Sequence, residues 1–590
     1  MAGLMGAFRY HVDASPRISS TEPTKAQAFL SRHAEHTAGE WHSPDGLCSL
    51  ASQPIHSRCG RFTLLFTGAI DNHLDVRYRL RFLDWYGNSD GETLVEGLAQ
   101  LGPALLIHLR GMFAFAAYDH HKQQLLLARD RLGIQPLHLA WDEVGLHFAS
   151  ERRALPGGHD LSPHAISQML VWGHLSTPAV LVPPATAGVH SLPAGVVVRF
   201  NRDRPHRPVR YWPPQPRPDW GPLPIRSPTH ARCFLRAQLE RAISEQLRCG
   251  PMGCFLSSSF DSAILLALAC RIHPGRTTSF SLNLPGQPED ELRVTRQLAD
   301  HCGADHHEFI LEADQAIAWV EAGLAALDQP TADGLHTYLL SRAMGEQGIT
   351  VALTSLGADE LFGGCPSHRL VPWLLRIGWL PTHFRQSLVQ RFSPSLATKL
   401  SHLPRWDNWH LSLALRRIHG DAQLAIAGAV PLEWPQQPPQ RITQRFGQIS
   451  WAELFASTEP MLLRDSNMLR MACGIQLRFP FLDHQLVETA LRMPERYQRL
   501  GKGLLLSACI DLFPIRTIPL SRRTAMLPMA VWMRGALRPL CLQRLEQLCA
   551  SGWLDTTWIR AIWKGFEDRS VHWSQAWSLV QLGELARRNT

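Results

Sequence analysis

Apolar runs divide the chain into two regions with different predicted structure. Over residues 1–200 short apolar runs, such as 62–66 and 195–200, alternate with turns, a pattern typical of a strand-rich layered domain. From residue 229 onward helix-length amphipathic stretches dominate, and short strands such as 278–282 and 350–353 interrupt them. Strands that alternate with helices predict a parallel sheet covered by helices on both faces.

A proline-dense stretch separates the two regions. Proline at the density of residues 204–228 is incompatible with the interior of a helix or sheet. We therefore expect a linker at 204–228 between a first domain at 1–203 and a second at 229–590. The total of 590 residues is also too long for one ordinary domain.

Composition and charge limit the partners and the cellular compartment expected for the protein. The net charge is only +8 and no long basic run occurs, so the sequence does not indicate a nucleic-acid partner. No apolar run reaches the roughly 20 residues of a membrane-spanning helix, and no basic-then-apolar segment opens the chain. The twelve cysteines contain no CxxC pair, which favours reduced core residues. These features predict a cytoplasmic protein without a membrane partner.

The first candidate site is a hydroxyl-rich turn. Residues 257–262 read Ser-Ser-Ser-Phe-Asp-Ser, between the apolar run 254–256 and the helix-like stretch 263–269. Such a turn directs hydroxyl groups, backbone N–H groups and the positive end of a helix dipole at one point, which suits a phosphate. The Gly-Lys-Ser/Thr ending of a Walker A loop is missing. An ordinary capped helix after a core strand is the alternative interpretation.

A second turn supplies another acid. Residues 351–364 run from an apolar strand into a glycine-containing turn that carries Asp359. Loops that follow parallel strands meet at the carboxyl edge of a sheet, so Asp261 of the first turn is expected near Asp359. Two carboxylates together with nucleotide phosphate oxygens suit Mg²⁺.

Five blocks of the chain resemble the asparagine synthetase family. Residues 257–262 resemble its pyrophosphate loop, Ser-Gly-Gly-Leu-Asp-Ser, 357–364 match its second motif almost letter for letter, and 478–483 resemble a third block. Residues 109–115 and 128–137 are similar to its glutamine amidotransferase domain. The resemblance implies an α+β amidotransferase-like sandwich followed by an α/β parallel-sheet ATP-pyrophosphatase domain.

The resemblance also implies ATP and Mg²⁺ as cofactors, with Asp261 and Asp359 as metal ligands. Lys502 is similar to a family lysine that could hold a phosphate, although a solvated lysine is the alternative. Arg522 stands where the family places its catalytic lysine; arginine can stabilise charge there but cannot be deprotonated. The implied nucleotide-binding set is Leu256, Ser257, Ser258, Ser259, Asp261, Ser262, Phe280, Ser281, Ser355 and Gly357. Of these, Phe280 and Ser281 are expected at the end of a strand, where the family contacts adenine.

The first domain departs from family members that hydrolyse glutamine. They begin Met-Cys-Gly-Ile and use the cysteine as nucleophile, whereas this chain has Ala2, which cannot form a thioester. Cys48 and Cys59 are internal and lack the α-amine that would act as base. Asp90 stands at the position of the glutamine-binding acid, although a plain turn residue is the favoured interpretation. A structural or docking role is therefore expected for this domain.

Leu356 is the most informative departure in the second domain. Asparagine synthetases have Glu at this position and β-lactam synthetases have Tyr, and leucine can perform neither polar role. A lost glutaminase, a retained ATP site and a changed acceptor site together resemble the lasso peptide cyclases. That resemblance implies adenylation of an Asp or Glu side chain of a ribosomal core peptide, followed by attack of the peptide N-terminal amine. A leader peptidase and a leader-binding protein of the same pathway are the implied partners.

Residues 365–450 match the family poorly and are predicted to form a variable helical region near the active site. Its tryptophans are candidates for the wall of a peptide cavity, although tryptophans are more often core residues: Trp373, Trp379, Trp406 and Trp409.

Three other functions remain open from sequence. The first is an ammonia-dependent asparagine synthetase-like ligase, and the second is a β-lactam or carbapenam synthetase. Leu356 argues against both, and the lack of lysine at position 522 argues against the second. The third is a non-catalytic protein that only binds precursor peptide, which the exchange of the family's Gly-Gly for Ser258 and Ser259 keeps open.

Overall fold

The computed structural model describes all residues except 1–2, 10–40, 52, 81–83, 144, 159–160, 176–187, 202–207, 214–220, 248–251, 284–288, 328, 330, 332–333, 438–441, 514–526 and 590. The chain divides into two compact units. The first comprises Met1–Asp160 and Thr177–Arg217, and the second comprises Leu161–Ser176 and Pro218–Thr590.

Two antiparallel sheets form the first unit. In order across each sheet, the strands run β10-β8-β9-β1-β3-β2 and β12-β11-β7-β6-β5-β4. One apolar cluster takes Phe8 and Phe148 from the first sheet and Leu127 and Val198 from the second, so the core lies between the sheets. The predicted sandwich is therefore confirmed. The elements are β1 Met5–Arg9, β2 Trp41–His42, β3 Cys48–Leu50, β4 Ile55–His56, β5 Phe62–Ile70, α1 His73–Leu80, α2 Asp90–Leu101, β6 Gly111–Asp119, β7 Gln124–Arg129, β8 His138–Trp141, β9 Gly145–Ala149, β10 His190–Ser191, β11 Val196–Phe200 and β12 Val209–Arg210.

A five-stranded parallel sheet forms the centre of the second unit and confirms the predicted α/β class. Its strands lie in the order β15-β14-β13-β16-β17, and each described pairing is parallel. Near-continuous apolar runs suit such strands because helices cover both faces. The strands are β13 Met252–Phe255, β14 Thr277–Asn283, β15 Asp305–Ile310, β16 Val351–Leu353 and β17 Gln476–Arg478.

Helices surround this sheet, and several of them lie in the predicted helical region 365–450, although residues 427–437 form no helix. The 10-residue segment Leu454–Leu463 is a π-helix. The α-helices of the second unit are α3 Pro163–Trp172, α4 Pro228–Gln246, α5 Phe260–Ile272, α6 Glu289–Cys302, α7 Ala313–Ala326, α8 Gly334–Glu346, α9 Ala358–Phe362, α10 Ser367–Arg376, α11 Thr382–Phe392, α12 Pro394–Leu400, α13 Asn408–Arg416, α14 Asp421–Ile426, α15 Arg445–Glu453, α16 Arg464–Cys473, α17 His484–Arg492, α18 Glu495–Gln498, α19 Lys502–Cys509, α20 Met529–Arg534, α21 Arg538–Ser551, α22 Thr556–Glu567 and α23 Trp573–Asn589.

Helix α3 belongs to the second unit although it precedes the proline-dense stretch in sequence. Ser162 caps its first turn by accepting a hydrogen bond from the Ala165 N–H group at 3.1 Å, and Gly173 ends it in the left-handed conformation. Leu170 is fully buried in a cluster with Val580 and other residues of α23. The segment 161–176 is thus part of the core of the second unit.

The proline-dense stretch is not uniformly a linker. Strand β12 lies inside it and pairs with β11, with Val209 opposite Val197. This pairing is possible because the run Val209-Arg210-Tyr211 is free of proline. Further along, Ser227 caps α4, and its hydroxyl accepts a hydrogen bond from the His230 N–H group at 3.1 Å.

None of the helices in the described part of the chain has the length and apolarity that crossing a membrane requires.

Candidate active site

The serine loop joins the end of β13 to the start of α5. The strand ends at Phe255, and the N–H group of Leu256 donates to the carbonyl of Phe280 on the neighbouring strand at 2.8 Å. Ser259 then caps α5 by accepting a hydrogen bond from the Ser262 N–H group. Because the first N–H groups of a helix have no partner within it, this end of α5 is suited to bind an anion.

Three hydroxyl groups of this loop converge on one another. The Ser257 Oγ atom lies 2.9 Å from that of Ser259 and 3.0 Å from that of Ser262, and the latter two are 3.1 Å apart. The Ser257 N–H group also donates to the Ser262 hydroxyl at 3.1 Å. Hydroxyl groups can rotate to donate or accept, so this cluster can exchange its internal hydrogen bonds for bonds to phosphate oxygens.

Serine replaces the family's Gly-Gly in this loop without backbone strain. Ser259 has φ −81° and ψ 148°, the extended conformation usual for a helix cap. Ser258, 3% exposed, is not among the described non-glycine residues with positive φ. The left-handed conformation that would favour glycine is therefore not adopted at either position.

Lys502 brings the two predicted metal-binding carboxylates together. Its ammonium group lies 2.6 Å from Oδ2 of Asp261 and 2.5 Å from Oδ1 of Asp359. Asp261 lies in the first turn of α5, Asp359 in α9 and Lys502 at the start of α19. Three elements far apart in sequence thus place two carboxylates and one ammonium group at one point.

Burial controls the charges of this cluster. Asp261 is 4% exposed, and its burial, together with the charge of Asp359, raises its pKa to about 6 in spite of the opposing effect of Lys502. Burial by itself would lower the pKa of Lys502, but the two carboxylates raise it above its ordinary value. Lys502 is therefore a permanent cation that compensates the acidic pair at neutral pH.

Two glycines allow Asp359 to occupy this position. A Cβ atom on Gly364 would lie 1.7 Å from the Asp359 Oδ1 atom, so a side chain at 364 would displace the carboxylate. Gly357, just before α9, has φ +101°, and a Cβ atom there would approach Leu482 to 2.6 Å. Gly363 also has a positive φ, +75°, so the three glycines of the motif at 357–364 are explained by one close approach and two left-handed backbone positions.

The donor set fits Mg²⁺ bound together with a nucleotide. The Oδ1 atom of Asp261 is buried and has no hydrogen-bond partner among the described residues, which leaves a carboxylate oxygen available for a cation. Mg²⁺ typically takes one or two carboxylates and completes its shell with phosphate and water oxygens. No group of three or more His, Cys, Asp or Glu side chains arranged for a metal occurs in the described part of the chain. Asp261 and Asp359 therefore suit a metal that arrives with a nucleotide rather than an all-protein metal site.

Phe280 and Ser281 lie inside β14, not at its end as expected. The strand continues to Asn283, and the ring of Phe280 is 1% exposed and stacks on His307 at 5.2 Å. The Ser281 hydroxyl is shared with the Nε2 atom of His306 at 3.2 Å. Since Phe280 is level with Phe255 at the end of β13, its backbone borders the serine loop while its ring packs in the interior.

The loop between β16 and α9 carries Ser355, Leu356 and Gly357. The carbonyl of Ser355 accepts a hydrogen bond from the Ala358 N–H group at 3.2 Å, which begins the turn into α9. Leu356 is half-buried, and its N–H group donates to the Thr354 hydroxyl at 3.3 Å. The loop thus presents an apolar side chain three residues before Asp359.

Of the predicted catalytic residues Lys502 and Arg522, the structure describes only Lys502. Lys502 is neither solvated nor free, because it pairs with both carboxylates and its side chain is 18% exposed. Arg522 lies outside the described residues.

A buried acid behind Asp359 was missed from the sequence. Glu360 is 4% exposed, and burial raises its pKa to about 7; the Thr458 hydroxyl donates to it at 2.7 Å. Thr458 lies in the π-helix. The charge of Arg416, which forms an ion pair with Glu453, opposes the effect of burial on the pKa of Glu360. The sequence does show two adjacent acids, Asp359 and Glu360. Because consecutive residues of a helix point in different directions, this pair indicates that one of the two acids points away from the site.

The two internal cysteines that the sequence offered in place of a glutaminase nucleophile differ in exposure: Cys48 is buried and Cys59 is exposed. Cys48 is fully buried, and burial raises the pKa of its thiol, which disfavours the reactive thiolate. Asp90 begins α2, and its carboxylate accepts hydrogen bonds from the N–H groups of Ile70 at 3.0 Å and Gly91 at 2.9 Å. These contacts favour the structural interpretation of Asp90. Ala2 lies outside the described residues.

The four tryptophans considered for a cavity wall do not act as one group. Trp409 is 3% exposed, and its indole N–H group donates to the carbonyl of Pro435 at 2.9 Å. Trp379 is 81% exposed, whereas Trp373 packs edge-on against Phe392. Trp406 lines a cavity between α11 and α12.

Two family profiles match the regions of the chain that carry the motifs. The profile of the asparagine synthase family matches residues 235–587, and that of a glutamine amidotransferase domain matches 45–212. A Mycobacterium tuberculosis protein named as a glutamine-hydrolysing asparagine synthetase is 28% identical over 523 residues, 80% of this chain and 78% of that one. Asparagine synthetase B of Escherichia coli K12 is 28% identical over 400 residues, 62% of this chain and 64% of that one. A solved glutamine phosphoribosylpyrophosphate amidotransferase from B. subtilis, in complex with ADP and GMP, covers 63% of this chain and 78% of its own at 12% identity, with a TM-score of 0.27.

Proposed function

We propose that this chain, which belongs to the asparagine synthase family, closes a macrolactam ring in a ribosomally made lasso peptide. The family consists of ATP-dependent carbon–nitrogen ligases that form AMP, and the chain is an amide ligase of this kind. The proposal concerns the substrate: an Asp or Glu side chain of a core peptide supplies the carboxyl group, and the N-terminal amine of the same peptide attacks it.

In the first step the peptide carboxylate attacks the α-phosphate of ATP, and pyrophosphate leaves. The hydroxyls of Ser257, Ser259 and Ser262 and the N-terminal end of α5 would bind the departing pyrophosphate. Bound Mg²⁺ would supply charge neutralisation at the phosphates, held by Asp261 and Asp359. Lys502 would then exchange part of its contact with the carboxylates for a contact with a phosphate oxygen.

In the second step the peptide amine attacks the acyl-adenylate. A carbon–nitrogen bond forms, the bond to AMP breaks, and the amine loses a proton, so the peptide loses one water overall. Because nucleophile and acyl group belong to one chain, the reaction is intramolecular and benefits from effective molarities of about 10⁵ M or more. Such a reaction requires no ammonia.

Leu356 is the observation that carries the proposal. It lies in the loop that leads into α9, three residues before Asp359, and its side chain has no group that can hold an amino acid or ammonia. The apolar side chain is compatible with a peptide acceptor that brings its own amine. The hydrogen bonds of Asp90 to Ile70 and Gly91 further support a chain that does not use glutamine.

Ring closure in a ribosomal peptide needs partner proteins that prepare and deliver the substrate. The substrate is a core peptide released from a ribosomal precursor, and a leader peptidase must free its N-terminal amine before the ring can close. A leader-binding protein of the same pathway would deliver the precursor. These partners follow from the proposed substrate alone.

The test is mass spectrometry on the purified full chain with Mg-ATP and a synthetic core peptide. The peptide carries N-terminal Gly and an internal Asp or Glu, and its sequence comes from a short reading frame beside the gene. We expect loss of one water from the peptide with AMP formed in equal amount. Asp261→Asn should abolish both, whereas the exposed Asp84→Asn in the other unit should change neither.

The curated relatives favour a second candidate, because they are named as asparagine synthetases. AMP formation that needs free aspartate and ammonia, with no change in the peptide, would establish that candidate and refute ring closure. The absence of AMP with any acid would refute both and favour a protein that only binds precursor peptide.

A further inference from the structure

Residues 361–406 carry positive charge without a carboxylate. No Asp or Glu occurs between Glu360 and Asp407. Four of the arginines are exposed, and within the described part of the chain no carboxylate pairs with any of the five guanidinium groups. Because neighbouring like charges repel, such a surface is stabilised by an anionic partner. The cations are Arg369, Arg376, Arg385, Lys399, Arg391 and Arg405.

The same segment exposes large aromatic rings. Trp379 is 81% exposed, Phe384 59% and Phe392 70%. Trp379 lies in the turn before α11, and the two phenylalanines lie on α11. Exposed rings concentrated in one short segment mark an interaction surface more often than scattered single residues do.

A cavity of about 210 Å³ lies between α11 and α12. Its lining is apolar at Val389, Leu400, Leu403 and Trp406 and basic at Arg385. A cavity of about 150 Å³ can hold benzene, so this one can hold a single large aliphatic or aromatic side chain.

Arg385 adds a polar feature to this cavity. Its guanidinium group lies 4.2 Å from the centre of the Trp406 ring, and its Nη1 atom donates to the carbonyl of Gly378 at 3.0 Å. Its Nε atom is buried and has no hydrogen-bond partner among the described residues. Trp406 lines the cavity and lies against Gly378. The exposed ring of Trp379 follows Gly378 in the chain, and the exposed cation Arg405 precedes Trp406.

We propose that these residues, the basic–aromatic face, bind an acidic peptide segment that inserts one large apolar side chain into the cavity. Carboxylates beside that side chain would pair with Arg385 and Arg405, and backbone or apolar groups would cover Trp379. A discrete cavity with a buried donor selects one side chain, whereas a lipid surface requires only a continuous plane of charged and apolar groups. The face shares no residue with the candidate active site, and the proposal does not depend on ring closure.

The experiment is fluorescence anisotropy with the full chain and a labelled peptide, Asp-Glu-Asp-Leu-Trp-Glu-Asp-Glu. We expect saturable binding that weakens when Asn and Gln replace the acids or when Ser-Ser replaces Leu-Trp. Arg405→Glu should weaken binding about tenfold at low salt, since a charge contact turns into repulsion. Arg276→Glu, which is also exposed but directly precedes β14, should change it less than twofold and serves as the matched control.

A second variant tests the cavity separately from the charge. Ala397 lines the cavity, and Ala397→Leu should fill part of it and weaken binding while thermal unfolding stays unchanged. Equal binding of the neutral peptide, or equal loss with Arg276→Glu, would overturn the proposal. Binding to vesicles of anionic phospholipid or to a thymidine oligonucleotide, with none to the acidic peptide, would overturn it in favour of that other partner.

Discussion

The ammonium group of Lys502 donates a hydrogen bond to Asp261 at 2.6 Å, although the two residues are 241 positions apart in the chain. The contact joins the first turn of α19 to the first turn of α5. Since Asp261 is 4% exposed, its charge depends on this partner more than on water. Lys502 therefore both assembles the acidic pair and keeps Asp261 ionised at neutral pH.

Replacement of Lys502 by methionine should reduce AMP formation at least about a hundredfold, the usual effect of losing one preorganised charge in an active site. The methionine keeps the length of the side chain but leaves Asp261 and Asp359 facing each other without a cation. The rate is measured by AMP release at saturating ATP. Lys564→Met, an exposed lysine on α22, is the control. A Lys502→Met rate within threefold of the wild type would contradict the assigned role.

Gly364→Ala should inactivate the enzyme while the fold is retained. The new Cβ atom would lie 1.7 Å from the Asp359 Oδ1 atom, so the carboxylate must leave its position beside Lys502. Gly503→Ala is a close control, because a Cβ atom on Gly503 meets nothing within 4 Å and the residue follows Lys502 directly. AMP formation and thermal unfolding should separate the two variants: both should unfold near the wild-type temperature, and only Gly503→Ala should be active. Equal activity would mean that Asp359 does not act from this position.

Leu356→Glu should harm the use of the peptide more than the use of ATP. A carboxylate introduced at this half-buried position adds a charge three residues before Asp359 and repels the peptide carboxylate that must approach the nucleotide. We expect KM for the peptide to rise about tenfold or more, with KM for ATP changing less than threefold. Leu356→Met, which conserves volume and apolarity, should behave as wild type. An equal rise in both constants would place Leu356 at the nucleotide instead.

His419 should make the protein less stable in mild acid. It is fully buried, burial lowers its pKa to about 4, and its Nε2 atom shares a hydrogen bond with the Ser578 hydroxyl at 3.0 Å. An unfolded histidine has a pKa of about 6.5, so between about pH 6.5 and 4 the unfolded chain binds a proton that the native chain does not. The free energy of unfolding therefore falls as pH decreases through this window, by up to about 1.4 kcal/mol per pH unit.

Urea unfolding at pH 7.5 and pH 5.5 checks this expectation. In His419→Gln the difference between the two pH values should be smaller than in the wild type, because one titrating group has been removed. His174 and His368 have pKa values lowered to about 4 by burial in the same way, so part of the acid sensitivity should remain. An unchanged pH difference in His419→Gln would show that His419 is not neutral in the native protein.

Local patterns in the sequence predicted the strands and the loops of the site, but not the partner of the acids. The apolar run before Ser257 and the serine cap of α5 are short-range signals, and both appear in the structure at the expected places. The contact of Lys502 with Asp261 depends on how α19 packs against the helices α4, α5 and α9, and no local pattern encodes it. Two sequence alternatives existed for Lys502, a phosphate ligand and a solvated side chain, and the structure adds a third.

The length of β14 and the pairing of β12 were not predicted from the sequence. Phe280 was expected at a strand end, but pairing with β15 continues through Asn283 and extends β14 beyond the serine loop. The proline-dense stretch was expected to be a linker throughout, but three residues free of proline suffice for β12 to pair with β11. In both cases pairing with a neighbouring strand determined the extended conformation.

Helix α3 makes the ligase unit discontinuous in the gene. The chain builds most of the first unit, contributes α3 to the core of the second, and then returns to the first at Thr177. No single break in the coding sequence can therefore remove the first unit without also detaching Leu170 and its neighbours from the ligase core. An amidotransferase-like unit that performs no reaction can decay by substitution, residue by residue, but in a chain with this layout it cannot be removed as a block, which gives a physical reason for such a fold to persist beside a ligase.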